Sequence, residues 1–331
     1  MALQLLVKQG GALTGVTLTF SSYGGIYQDA QIASLEGFQK QSGARVLSDG
    51  PTEYSKIKAQ VDSGNVTWDV VDTDVVWAER ECGNLLMPLD FNIIDVSDID
   101  PALVGKCHVP AMQYAYVIMY NKDKYPKAPT GWADFFNTEK FPGTRAIAGF
   151  EDVGPGIFEG ALLADGVKTE DLYPLDMDRA YTKMDSIKDS IIFWSTGAES
   201  QQMLESGEAD MALVWSGRGY KAVEAGANYA PIWDGALRVM DSISVPKGAQ
   251  NPEAAMALIN HYVGPEAQTI LSEQSSYAPI NNLANPQFDE LGKSFLITDP
   301  EINKKLINTD GSWWGKVYDE ELKRFIAWIQ N

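Results

Sequence analysis

From Val16 the chain reads VTLTFSS, apolar and hydroxyl-bearing residues in alternation, which predicts a β-strand ending at Ser21-Ser22. A turn at Tyr23-Gly24-Gly25 leads into IYQDAQIASLEGFQKQSG, whose apolar residues recur at helical spacing until Gly43 stops it. ARVLSDG predicts a second short strand. EYSKIKAQVDSG predicts a second amphipathic helix, ended by Gly64, and WDVVDTD an apolar strand that finishes in acidic and hydroxyl groups. Strand and helix in strict alternation predict an α/β fold on a parallel sheet.

The pattern changes after Pro110. AMQYAYVIMYN is a long aromatic-rich extended segment, and KAPTGWADFFN a loop running into a helix. TRAIAGF, IIFWS and ADMALVWS predict strands, separated by helices near 156–165, near 175–187 and over TGAESQQMLESG. The last of these opens on Thr196 with Glu199 three residues on, the pairing of a capping box. GALRVMDSISVP is strand-like, NPEAAMALINHYV and PEAQTILSEQ are helical, and DEELKRFIAWIQ is a terminal amphipathic helix. Two α/β blocks and a return segment predict two lobes joined by more than one crossing.

The composition is that of a globular protein: 331 residues, 45% hydrophobic and 21% charged, enough for two domains. Its 45 acidic residues against 26 basic ones give a formal charge of -19, which repels phosphate backbones and steers small cations inward. Nucleic-acid binding is therefore not expected. The only cysteines, Cys82 and Cys107, and the only histidines, His108 and His261, have no zinc-site spacing. In an exported protein the two cysteines form one disulfide; in a cytosolic one they are two buried thiols. The opening MALQLLVKQGGALTG has a short apolar patch with no basic residue before it, so it does not read as a secretory leader.

An enzyme would need a nucleophile and a base. WSGRG resembles a nucleophile elbow, but position 214 is Val where G-x-S-x-G requires Gly. There is no Walker A sequence, and Gly154-Pro155-Gly156 lacks dinucleotide-binding spacing because position 159 is Glu. Asp69, Asp72 and Asp74 invite a metal or glycosidase reading, and alternation places Asp72 and Asp74 on one side of their strand, but no partner motif supports either. The alternative of a hydrolase or transferase on a two-lobed scaffold has no catalytic pair to rest on.

Binding fits better. Ser22, Tyr23, Thr73, Asp74, Trp215, Arg218 and Asp241 all fall at carboxyl ends of predicted strands, where open α/β sheets hold ligands. Carboxylates neutralise an ammonium, aromatic faces attract it, and arginine forks a carboxylate. Ser216-Gly217, between Trp215 and Arg218, reads as a flexible pair.

The segments SSYGGIYQDAQ, WDVVDTDVVWAERECGNLLMPLD, GEADMALVWSGRGYKA and VMDSISVPKGAQNPEAAMALINHYVGPEAQTILSEQSSYAPIN together resemble the extracytoplasmic solute-binding proteins of ABC importers, of the spermidine/putrescine type. The resemblance runs from Val16 to about Leu283. It implies a type II periplasmic binding protein fold, two hinge-linked lobes with a ligand cleft between them, which closes by hinge motion. Residues 16–118 and 242–331 would form lobe 1, and 119–241 lobe 2. It also implies export, with the leader already removed, a Cys82–Cys107 disulfide, a monomer that delivers its ligand to the membrane subunits of an ABC permease, no cofactor, and no catalysis.

Residue by residue, Trp215 corresponds to the tryptophan stacked on a polyamine chain and Asp241 to the amine-binding aspartate. Tyr277 precedes a Pro-x-Asn turn, Thr73 is a strand-end hydroxyl, Ser22-Tyr23 forms the first strand-to-helix loop, and Glu151 stands where a second amine would meet a carboxylate. Val239 and Val75 stand where that type carries aromatics, and Arg218 adds a positive charge beside Trp215. Arg218 with Asp241 suits a short zwitterion such as gamma-aminobutyrate better than a diamine.

Overall fold

The computed structural model describes residues 11–149, 153 and 156–330. Its strands are β1 (Thr17–Ser21), β2 (Arg45–Asp49), β3 (Val70–Asp74), β4 (His108–Asn121), β5 (Arg145–Ala148), β6 (Ile191–Trp194), β7 (Met211–Trp215), β8 (Tyr229–Ser244) and β9 (Ile307–Asn308). The chain divides into two compact units, Met1–Gln113 with Met240–Asp289, and Tyr114–Val239 with Glu290–Asn331.

In the first unit the strand order is β2-β1-β3-β8, with β1 parallel to both β2 and β3 and the end of β8 antiparallel to β3. The helices connecting them start and stop where local chemistry requires. Gly24, at φ 74°, makes the tight entry to the helix Gly25–Ser34. Gly43 and Gly64, both left-handed, end the helices Glu36–Ser42 and Tyr54–Ser63, as their positions predict. The single helix expected before Gly43 is broken at Leu35, which closes one helix and opens the next. In the second unit the order is β4-β7-β5-β6, with β9 on β8. Thr196 Oγ1 accepts from Glu199 N at 3.1 Å, while the Glu199 carboxylate reaches back to Ser195 N at 2.6 Å, one residue before the reciprocal capping-box position.

One expected boundary differs. Residues 290–331, expected in lobe 1, belong to the second unit, and aromatic packing is the reason. On the helix Gly311–Gln330, Trp314 and Phe325 lie 5.8 and 5.6 Å from the ring of Phe158. Trp314 Nε1 donates to Glu159 Oε1 at 2.9 Å, and Trp328 Nε1 to Asp185 Oδ1 at 2.7 Å. The first crossing also comes earlier than expected, between Gln113 and Tyr114, inside the 14-residue strand β4 where no turn residue marks it. No helix among the described residues is long and apolar enough to cross a membrane.

Cys82 and Cys107 are disulfide-bonded, and Cys107 sits in a cluster with Ile57, Trp68, Val71, Trp77 and Leu86. The bond closes a loop of sequence separation 25. Loop-closure entropy for that length is worth about 3 kcal/mol of stability. Reduction with alkylation, or a Cys82→Ala/Cys107→Ala double variant, should lower Tm by roughly 4 °C in differential scanning calorimetry.

Candidate functional site

Strand β3, VVDTD, has four buried residues in a row and exposes part of only Asp74. Its alternation points Asp72 and Asp74 to one face and Thr73 to the other. β8 lies antiparallel beside it with Asp72 opposite Ile243, Thr73 opposite Ser242 and Asp74 opposite Asp241. Residues directly opposite share a face, so Asp72, Asp74 and Asp241 all point the same way. Thr73 Oγ1 and Ser242 Oγ, 3.1 Å apart, close the opposite face, and Ser242 Oγ also donates to the Thr73 carbonyl.

Asp72 is fully buried. Its Oδ2 accepts from Tyr27 Oη and Gln31 Nε2, both at 2.6 Å, and from Ser22 Oγ at 3.2 Å. Its Oδ1, like Oε1 of Gln31, has no hydrogen-bond partner among the described residues. Burial pushes the Asp72 carboxyl up to about 7, against the lowering effect of those three bonds. Tyr27 and Tyr262 are themselves raised well above the ordinary phenol range by burial and then by the charge of Asp72. Asp74 caps the helix Val75–Arg80, accepting from Val76 N at 2.7 Å and Trp77 N at 3.3 Å. Desolvation nevertheless lifts its carboxyl to about 6.

The remaining expected residues of this unit join the group through partners. The Tyr23 and Tyr54 hydroxyls lie 3.0 Å apart, and the Tyr54 hydroxyl accepts from Asp74 N at 3.1 Å. The Tyr54 ring stacks on Trp77 at 4.3 Å and 13°. Aromatic surface that Val75 does not supply therefore comes from Trp77, two residues further on, and from Tyr54 on another helix. Tyr277 follows Ser276, a left-handed non-glycine residue at φ 59°, and meets the edge of Tyr27 at 5.3 Å and 67°. Asp69 is separate: it accepts from Thr19 N at 2.9 Å and serves strand β1. Among the described residues no group of three His, Cys, Asp or Glu side chains converges on a metal position. A cavity of about 330 Å³ in this unit, lined by Asp95, Asn260, His261 and Glu266 among others, contains none of the expected site residues.

The second unit holds Trp215 and Arg218. Trp215 ends β7 and is enclosed by ring edges: Trp194 at 5.3 Å and 79°, Tyr114 at 6.4 Å and 84°, and Tyr116 at 6.4 Å and 65°. Ser216-Gly217 is not a flexible pair but the first turn of the helix Ser216–Glu224, with Ser216 Oγ accepting from Ala115 N at 3.3 Å. That turn presents Arg218, which is 2% exposed. Gly197 is the residue that sequence reasoning missed: a Cβ there would stand 2.6 Å from both Arg218 Nε and Trp215 Cζ3. Glu151 lies outside the described residues.

The sequence pattern of the family described as bacterial extracellular solute-binding protein matches residues 33–301. The gamma-aminobutyric acid-binding protein of Pseudomonas aeruginosa is 32% identical over 323 residues, 94% of this chain and 90% of its own. The spermidine/putrescine-binding periplasmic protein of Escherichia coli is 26% identical over 266 residues, 76% of this chain and 74% of its own. A solved structure described as the Atu4243-GABA receptor superposes with a TM-score of 0.85 at 40% identity, covering 95% of this chain and 97% of that one.

Two outcomes follow from the geometry. Gly197→Ala must displace Trp215 or Arg218, so it should destabilise by about 1–3 kcal/mol and change tryptophan fluorescence, whereas Gly207→Ala, at a left-handed residue (φ 74°) with open space around it, should destabilise through backbone strain alone and leave fluorescence unchanged. Asp72 binds its proton more tightly folded than unfolded. Its contribution is therefore greatest below about pH 4 and is lost as pH rises through about 7, a fall on the order of 4 kcal/mol. Asp72→Asn should flatten that part of the stability–pH profile in urea titrations.

Proposed function

The chain belongs to the bacterial extracellular solute-binding proteins, the substrate-binding components of ABC transporters, and from that premise we propose that its ligand is a short ω-amino acid of the gamma-aminobutyrate kind. The observation that carries this reading is the pairing of unlike charges in the expected set. Asp241 is 5% exposed and opposite Asp74 on the neighbouring strand, and Arg218 is 2% exposed, one helical turn beyond the aromatic-ringed Trp215. An ammonium suits the carboxylates, a methylene chain suits the indole face, and a carboxylate suits the guanidinium fork. The names of the similar proteins support the same choice, since one binds gamma-aminobutyric acid and another is described as a receptor for it.

Under this reading the protein works outside the cytoplasm, hands its ligand as a monomer to the membrane subunits of an importer, and catalyses nothing. The disulfide supports an oxidising compartment. The histidine contacts suit packing: His108 Nε2 meets Glu79 Oε1 at 2.8 Å and His261 Nε2 meets the Ser34 carbonyl at 3.3 Å. A polyamine is the second reading, favoured by the facing carboxylates of Asp74 and Asp241 and opposed by Arg218.

Isothermal titration calorimetry decides between them. Asp241→Ala should abolish binding of either amine, because truncating one partner of a buried charge pair costs about 2–5 kcal/mol. Arg218→Ala should lose gamma-aminobutyrate by a similar margin while sparing putrescine. Equal losses for the two ligands would remove the zwitterion reading, and unchanged affinity in Asp241→Ala would remove that residue from the site.

A further inference from the structure

The face shared by Asp72, Asp74 and Asp241 holds three carboxylates within two registers of one another on adjacent strands. Asp74 and Asp241 are directly opposite. Asp72 is the diagonal neighbour of Asp241, roughly 7–8 Å away by the geometry of antiparallel pairs. The three are not equivalent. Asp74 is tied to two backbone N–H groups, whereas Asp72 sits deepest with all three of its donors on one oxygen and nothing on the other among the described residues. A buried anionic oxygen without a donor is costly, and a proton on Oδ1 removes that cost.

We propose that Asp72 is the proton-exchanging residue of the amine site: it holds a proton when Asp241 has no ammonium ligand and releases it when one binds. This rests on the reading that Asp241 receives the ligand's ammonium. The titratable groups facing Asp72 are Tyr27 on the helix Gly25–Ser34, Tyr262 on the helix Pro252–Tyr262, Asp241 on β8 and Asp74 on its own strand. All four are acidic side chains, and no basic side chain is among the groups acting on Asp72. Asp241 acts on both tyrosines, so the two carboxylates share one electrostatic neighbourhood. Burial sets the exchange near neutrality, with the Asp72 carboxyl at about 7. A new positive charge at Asp241 favours the anion of Asp72 through the low-dielectric interior, which at this spacing is worth about tenfold in affinity. In balance, one ammonium enters beside the acids as a carboxylic proton leaves to solvent, so the charge at the acidic face is nearly conserved, while the ligand's own carboxylate lies at its other end.

The sign is fixed. Below about pH 7 the ligand must expel the proton and binds more weakly; above it the anion is already formed. The test is calorimetric titration of the whole protein with gamma-aminobutyrate, whose own carboxyl and ammonium titrate outside the range used, in phosphate and in Tris at pH 7 and across pH 5.5–8. The wild type should release a fraction of a proton per ligand at pH 7 and gain about tenfold in affinity from pH 5.5 to 8. Asp72→Asn should lose most of the proton release at pH 7, with any remaining gain in affinity confined to the range below about pH 6, where Asp74 titrates. Tyr27→Phe, which removes a donor to the anion, should move the midpoint upward and increase release at pH 7; this variant decides if Asp72→Asn does not fold. Wild-type binding with no proton exchange overturns the proposal and leaves the ligand reading intact, and proton release that survives Asp72→Asn assigns the proton elsewhere. Absence of wild-type binding to both gamma-aminobutyrate and putrescine removes the ligand reading and this proposal together.

Discussion

Four cross-strand pairs, from Val71 with Ser244 to Asp74 with Asp241, set the chemistry of the first unit. Side chains alternate along a strand, so a slip of one residue would turn Asp241 to the face now occupied by Ser242 and separate it from Asp72 and Asp74. Like charges directly opposite on neighbouring strands are destabilising. The arrangement is supported by separate compensation for two of the three acids: helix N–H groups for Asp74, and two hydroxyls and an amide for Asp72. A concentration of acids with raised proton affinity, maintained against its own repulsion, is the kind of local cost that marks a functional position.

The second unit solves a different problem, how to hold a large flat ring and a long flexible cation still. Trp215 has three aromatic neighbours packed at steep angles, which fix its plane by the attraction of ring edges to ring faces. Arg218 is set by the first turn of its helix and by the bare backbone of Gly197 beside it. Rigid anchors lose little conformational freedom on binding, so more of the contact energy is available for affinity.

Much of this could be read from sequence. The alternation of VTLTFSS and WDVVDTD, the glycines after the first helices and the apolar run before Trp215 marked β1, β3 and β7 and their carboxyl ends, and therefore the neighbourhoods of Ser22, Asp74 and Trp215. What stayed hidden depends on partners distant in the chain. The antiparallel return of β8 beside β3 joins residues separated by 169 positions, Thr73 and Ser242, and no local pattern specifies that register. Tyr27 and Gln31 are four apart on one helix and so share a face, but only the fold shows that the face meets Asp72. The terminal helix was recognisable as amphipathic from DEELKRFIAWIQ, whereas the unit it covers was decided by Trp314 and Phe325 finding Phe158.

A comparison within the molecule clarifies what Asp72 is suited for. Glu159 is also a fully buried carboxylate raised by desolvation, and it too accepts three hydrogen bonds. Its bonds are divided between both oxygens: Tyr173 Oη and Trp314 Nε1 donate to Oε1, and Gly156 N to Oε2. Both oxygens of Glu159 are thus engaged in holding the terminal helix and a loop against the helix Ile157–Ala164, and a proton on either would weaken bonds already made to that oxygen. In Asp72 the three donors crowd onto Oδ2 and leave Oδ1 open to a proton without disturbing any of them. Burial and donor count are nearly the same for the two acids. The distribution of donors is what separates a structural tie from a group able to change its charge in place.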